Sequence, residues 1–374
     1  MTHRLICALL ALFGACTALP VRAQNDLGPE IVRAATLPPD AGEKIDAAAR
    51  ALDLLTSDDP AVIQRGRNAL LAPLRDRRAS VAFRTAYGDR LIPTLRELVR
   101  AERDLVAINA LRIAGEAATS DAAALLAGVT TERRVSVRYA AVAGIGRTFD
   151  ALAEANPAIN ADGANRLIDT LAGIVAAETD PDVLDAAVRA VISARRVDRP
   201  NFESVRGRSF TVLSKVAAER VQKLGGDAAS LRALPALVRA AKAVRDAMIE
   251  NNPRLRLGDA EMKAGAELAG HLVGYVIRRV QQGQLPPVVP ADDAGAAQDK
   301  RIRREHAASA ASLSESIVAL ATATAPARYA EQNLADDLRK TTSEGDNAFL
   351  RRSLNLMRAL SDLGLNTERM IAGK

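Results

Sequence analysis

Along residues 60 to 196, apolar and small residues return every third or fourth position while polar positions gather between them, the period of an amphipathic helix. Four stretches share a finer pattern. Val62, Val106, Val137 and Val183 are each followed four residues on by Gly66, Ala110, Ala141 or Ala187, and eight residues on by Leu70, Ala114, Ile145 or Val191. Small residues on one line let a helix approach its neighbours closely, so each copy predicts the second helix of a helical pair stacked on the next. The Val-to-Val intervals of 44, 31 and 46 residues fit helical-pair units with loops of unequal length.

The punctuation agrees with that reading. Asp59-Pro60 and Asp180-Pro181 each offer an acceptor for the free first-turn N–H groups, followed by a proline at the position where a missing N–H costs nothing. Leu91 to Arg100 is expected to pair with Asp104 to Ala117, and Asp121 to Val129 with Val135 to Phe149. Ile45, Ala48, Ala49, Leu52 and Leu55 predict a further helix from about Lys44.

With these residues in view, residues 44–196 resemble the HEAT-like repeat family, including the short form found in phycobilisome-lyase-type proteins. The matching features are the Asp-x-x-Val starts at Asp59 to Val62 and Asp180 to Val183, the related Asp104-Leu105-Val106, and the small-residue steps that follow. The third copy departs, with Glu132-Arg133-Arg134 in place of the aspartate. The resemblance implies an all-α solenoid with a scaffolding or binding role, and it carries over no catalytic residue.

Outside this segment the chain divides by composition. Residues 1–23 have the order of a secretory signal: Arg4, an apolar run from Leu5 to Leu19, and a small-residue cleavage site at Val21-Arg22-Ala23. This predicts a mature chain from Gln24 in the periplasm or outside a bacterial cell. Lipidation at Cys16 is the competing expectation. Residues 24–43, with Gly28-Pro29 and Leu37-Pro38-Pro39, read as a disordered tether. Beyond the polar break at Arg195 to Asn201, long helices are expected at 203–224, 230–250 and 258–281 within a region 202–282. A Pro/Gly/Ala linker follows at 283–299, then helices at 300–324, 327–341 and 346–363 of a C-terminal region 300–374. This second half reads either as a helical bundle or as an irregular continuation of the stack.

Charge adds direction. The chain has 51 basic and 45 acidic side chains, a mild excess, but residues 60–147 hold fifteen Arg and no Lys against eight acids. Residues 150–185 hold eight acids and only Arg166. Such polarity steers an oppositely charged partner. The segment carrying Arg65, Arg67, Arg75, Arg77, Arg78, Arg84 and Arg90 is therefore the expected contact for an acidic protein, or for anionic envelope polymer or lipid head groups. Nucleic acid is not expected, because export removes most of it from reach and no groove-reading motif accompanies the arginines.

Catalytic chemistry has little to stand on. Both cysteines, Cys7 and Cys16, lie in the signal, which removes thiolate nucleophiles, disulfides and thiolate metal sites from the mature chain. His271 and His306 fall on separate predicted helices, so no metal or other cofactor is expected. Gly144-Ile145-Gly146 lacks the remaining parts of a phosphate loop, and no Gly-x-Ser-x-Gly is present. Glu315-Ser316 matches a dipeptide of exported lytic transglycosylases, but without their Gly-Leu-Met-Gln type segment and in a chain with no Trp. Gly270 and Gly274 have small-xxx-small spacing in an apolar run interrupted by Glu267 and His271. That reads as a buried helix admitting a neighbour.

Overall fold

The computed structural model describes residues 27–250, 256–289, 293–325 and 328–373. Among these, every regular element is a helix, and Thr119 with Ala158 forms one isolated bridge. The expected secretory signal and Cys16 lie outside the described residues.

The chain is an α-solenoid of two helical layers. One layer holds α2 (Ala41–Ala49) with the 3-10 turn Arg50–Thr56, α4 (Val81–Val99), α6 (Ser120–Val129) and α8 (Ala161–Ala177). The other holds their successors: α3 (Pro60–Leu74), α5 (Asp104–Ala117), α7 (Val135–Glu154) and α9 (Pro181–Arg195). Within that second layer α3 packs on α5, α5 on α7 and α7 on α9. The four small-residue stretches all lie here.

Their spacing has a direct consequence at α5 and α7. A Cβ added to Gly115 would sit 2.7 Å from the carbonyl oxygen of Gly144 and 2.8 Å from its Cα. Backbone thus meets backbone, a contact only glycine permits. Gly146, by contrast, has ordinary clearance of 3.5 Å to Ala190. The aspartate starts behave as expected: Asp59 accepts from Ala61 N at 2.8 Å, and Asp180 from Asp182 N and Val183 N at 3.0 and 3.1 Å.

The stack does not end at residue 196. Helices α10 (Glu203–Thr211) and α11 (Ala217–Gln222), joined by a π-helical turn at Val212–Val216, pack on α8 and α9. α12 (Ala228–Ile249) lies against α9, α13 (Asp259–Gln281) against α11, and α14 (Ala294–Ala321) against both α12 and α13. The second layer therefore runs on as α9, α12, α14, and the irregular continuation is the arrangement found. α15 (Leu334–Arg339) and α16 (Ser343–Asp362) close that end, and α17 (Thr367–Ala372) docks on α13. There Met370 fills the space left by Gly270 and its backbone lies over Gly274. The small-xxx-small pair admits a neighbouring helix, as read from sequence.

Four boundaries need correction. The helix expected from Leu91 begins at Val81, and the helix expected over 327–341 is confined to Leu334–Arg339. The tether expected over residues 24–43 is ordered from Leu27 on: α1 (Pro29–Val32) buries Ile31 and Val32, Ser80 N donates to Val32 O at 2.8 Å, and Arg33 pairs with Asp76 at 2.7 Å. One helical turn is too short to display a period, so two anchoring side chains left no signal. The linker expected over 283–299 is shorter and packed, since α14 begins at Ala294 and Leu285 is buried. Arg304 explains its path: the guanidinium donates to Leu285 O and Pro286 O as well as to Leu338 O and Asp346.

Arg304 belongs to a recurring device. The last carbonyls of a helix lack partners inside it and carry the negative end of its dipole. Here arginines from elsewhere in the stack supply the donors. Arg84 donates to Leu74 O and Glu116 O, both at 2.8 Å, joining the ends of α3 and α5. Arg134 reaches Ala101 O at 2.7 Å past the end of α4, and Arg220 reaches Glu178 O at 2.7 Å past the end of α8. Arg278 donates to Met370 O at 2.6 Å at the end of α17. These side chains staple the edges of the layers.

Candidate functional site

The arginines expected to contact a partner separate into four groups. Arg84 is 1% exposed and its terminal nitrogens are committed to carbonyls, so it does not reach a partner and its assignment as a contact is corrected. Burial also lowers its pKa, with Glu116 and Asp76 opposing that shift. Arg77 and Arg90 are exposed but paired, with Glu154 at 3.0 Å and Asp46 at 2.8 Å. Arg65, Arg75 and Arg78 are exposed on or just beyond α3, without an acidic partner among the described residues. Arg67 alone among the set turns across the second layer, where its Nη1 donates to Asn109 Oδ1 on α5 at 3.1 Å.

Arg67 leads to two residues that sequence reasoning did not single out. Arg112 on α5 lies beside it, and Arg147 on α7 lies beyond Arg112. Burial lowers the pKa of Arg67, and Arg112 and Arg75 lower it further by like-charge repulsion. The pKa of Arg147 is lowered by burial and then by Arg112, against the opposing pull of Glu116. Glu116 is the nearest carboxylate, at 3.8 Å from Arg147. Arg112 has no ion pair among the described residues, and its buried Nε has no hydrogen-bond partner. Three consecutive second-layer helices thus bring Arg67, Arg112 and Arg147 near one another, with Arg147 paired to Glu116 and no ion pair to Arg67 or Arg112 among the described residues.

Apolar side chains border the row. Leu105 is 41% exposed and lies seven residues before Arg112, on the same side of α5. Val135 and Tyr139, four residues apart on α7, are 43% and 44% exposed, and Tyr139 is close enough to Arg147 to bear on its charge. Tyrosine and arginine beside exposed aliphatic residues is the composition enriched at the centres of protein interfaces. The signal in the sequence was a positional one. Arg112 and Arg147 occupy the side of their helices opposite the small-residue line, where a solvated residue and a binding residue look alike.

Three hollows open further along the layer, of about 570, 360 and 800 Å³, and all include Arg239. Most of their cations are ion-paired: Arg239 and Arg189 share Asp185, Lys242 pairs with Asp246 and Arg195 with Glu250, whereas Arg232 has no ion pair among the described residues. That pairing sets this stretch apart from Arg67 and Arg112, which have no ion pair among the described residues.

Glu315, the one residue with a catalytic resemblance, is 3% exposed. Its carboxylate accepts from Tyr329 Oη at 2.9 Å, Gln332 N at 2.5 Å and Leu334 N at 2.8 Å. It latches the loop before α15 and opens on no hollow described above. Among the described residues no group of three or more His, Cys, Asp or Glu is placed to hold a metal, and no helix is long and apolar enough to cross a membrane.

No family model and no curated protein matches the chain. Solved structures similar to it include three engineered proteins from the Northeast Structural Genomics Consortium. They are 16%, 14% and 15% identical over 72%, 88% and 72% of this chain and 97%, 97% and 98% of their own, with TM-scores of 0.35, 0.30 and 0.25.

Proposed function

We propose that this protein is an exported, non-enzymatic scaffold of HEAT-like repeats that captures an acidic segment of a protein partner across α3, α5 and α7. The observation that carries the reading is the row Arg67, Arg112, Arg147. Guanidinium groups set side by side raise each other's energy, and an acidic partner relieves that repulsion while forming charge-assisted hydrogen bonds. Leu105, Val135 and Tyr139 supply the apolar contact that holds such a partner at moderate salt, where exposed ion pairs alone are screened. Burial of Glu315 in a structural latch keeps that one carboxylate from reaching a glycan substrate.

The test is a pull-down from envelope extract of the source organism, at low and moderate salt, with the mature chain and the triple variant R67E/R112E/R147E. A single protein retained at both salt levels by the wild type and lost from the triple variant supports the reading. Equal retention by the two proteins contradicts it. Broad retention that disappears on adding salt assigns the row to an anionic envelope polymer or lipid head groups instead.

A further inference from the structure

We propose that the hollow of about 800 Å³ bordered by the start of α9, the first turns of α12 and the N-terminal half of α14 binds a short apolar peptide with free ends, its ammonium on Asp182 and its carboxylate on Arg232. This cleft lies apart from the α3–α5–α7 face and does not depend on the function proposed for it.

Besides His306, three aspartates and three arginines line this hollow. Two of each are closed on one another: Arg239 pairs with Asp185 at 2.8 Å, and Arg303 with Asp299. One charge of each sign is left over. Asp182 and Arg232 are both exposed, and neither has an ion pair among the described residues, with the other or with any third group. The start of α9 does not consume Asp182, because Asp180 is the residue that caps it, accepting from Asp182 N and Val183 N at 3.0 and 3.1 Å.

A simple anion on Arg232 would be repelled by Asp182, and a simple cation on Asp182 by Arg232. A ligand that carries both charges satisfies both residues. The rest of the lining sets its middle: Leu231, Pro235 and Ile302, the last 44% exposed, face the same hollow and favour apolar side chains. Pro235 lies inside α12 and has no N–H to donate to Leu231 O one turn earlier, so that carbonyl is free of its usual helical donor and can accept from a peptide N–H. An extended tripeptide is about 10 Å long, and a cleft of this volume is of the size that holds small ligands.

The experiment is calorimetric titration of the full mature chain with the tripeptide alanyl-leucyl-alanine, with its N-acetyl form and with its C-terminal amide. Saturable binding of the free tripeptide is expected, weakened roughly fivefold or more by blocking either end. Asp182→Asn should weaken the free tripeptide by a similar factor and leave the N-acetyl form unchanged, and Arg232→Gln should weaken the free tripeptide and leave the amide unchanged. Both side chains are exposed, so the variants should melt with the wild type. Absence of saturable binding by the free tripeptide overturns the proposal. So does an N-acetyl form or an amide that binds as tightly as the free tripeptide, since the hollow would then be reading one charge and not two.

Discussion

At the edges of the stack Arg84 and Arg220 are committed to the last carbonyl oxygens of α3, α5 and α8, whereas on its face Arg67, Arg112 and Arg147 lie near one another and only Arg147 has an ion pair among the described residues, with Glu116 at 3.8 Å. The two groups share a residue type and much of the same stretch of chain. At an edge, guanidinium donors complete helices that would otherwise end in unpaired carbonyls, so the charge works for the fold. On the face the charges repel, and the proposed function gives them an acidic partner outside the fold. Stability and capture should therefore separate cleanly between the two regions.

The largest expected effect is at the edge. Arg84→Met leaves the carbonyls of Leu74, Glu116 and Ala117 without their donor and should cost about 3–4 kcal/mol in urea unfolding. Next comes pH. Acid sensitivity should arise at His271, where burial and then Arg369 and Arg278 push the pKa down to about 4. The unfolded chain binds a proton there near pH 6.5, so stability is full above that value and falls as pH drops toward 4. The loss is on the order of 2–3 kcal/mol, and His271→Gln should flatten that slope in melts run from pH 7.5 to 4.5.

Gly115→Ala tests the close approach of α5 and α7, because its Cβ would meet backbone that cannot swing aside. A loss of about 2 kcal/mol is expected. The smallest effect is on the face: Tyr139→Ser should change unfolding by less than about 0.5 kcal/mol while weakening capture of an acidic partner. A large stability loss there would make the exposed apolar border part of the core.

The helices were legible in sequence because apolar spacing and aspartate caps act within one turn of chain. Asp104 to Ala117 was read to the residue, and the small-residue line marked the layer that stacks. What periodicity could not show was any element fixed by one or two distant contacts. Ile31 in a single turn and Leu285 in a packed loop are examples. The proposed interaction face was legible only as an excess of arginine. Arg84 belongs to that excess yet points into the edge, and Arg112, which lies outside the segment first favoured, holds the centre of the row. A helix position records which side a residue occupies, but not whether a carbonyl or another cation waits there.

The division between edge and face is tested most directly by unfolding Arg112→Gln and Arg84→Met side by side in urea. The account predicts that Arg84→Met lowers the midpoint sharply, while Arg112→Gln leaves it unchanged or raises it by relieving repulsion from Arg67 and Arg147. Equal destabilisation by the two substitutions would make Arg112 another structural staple and contradict the reading of this face as a surface for capture.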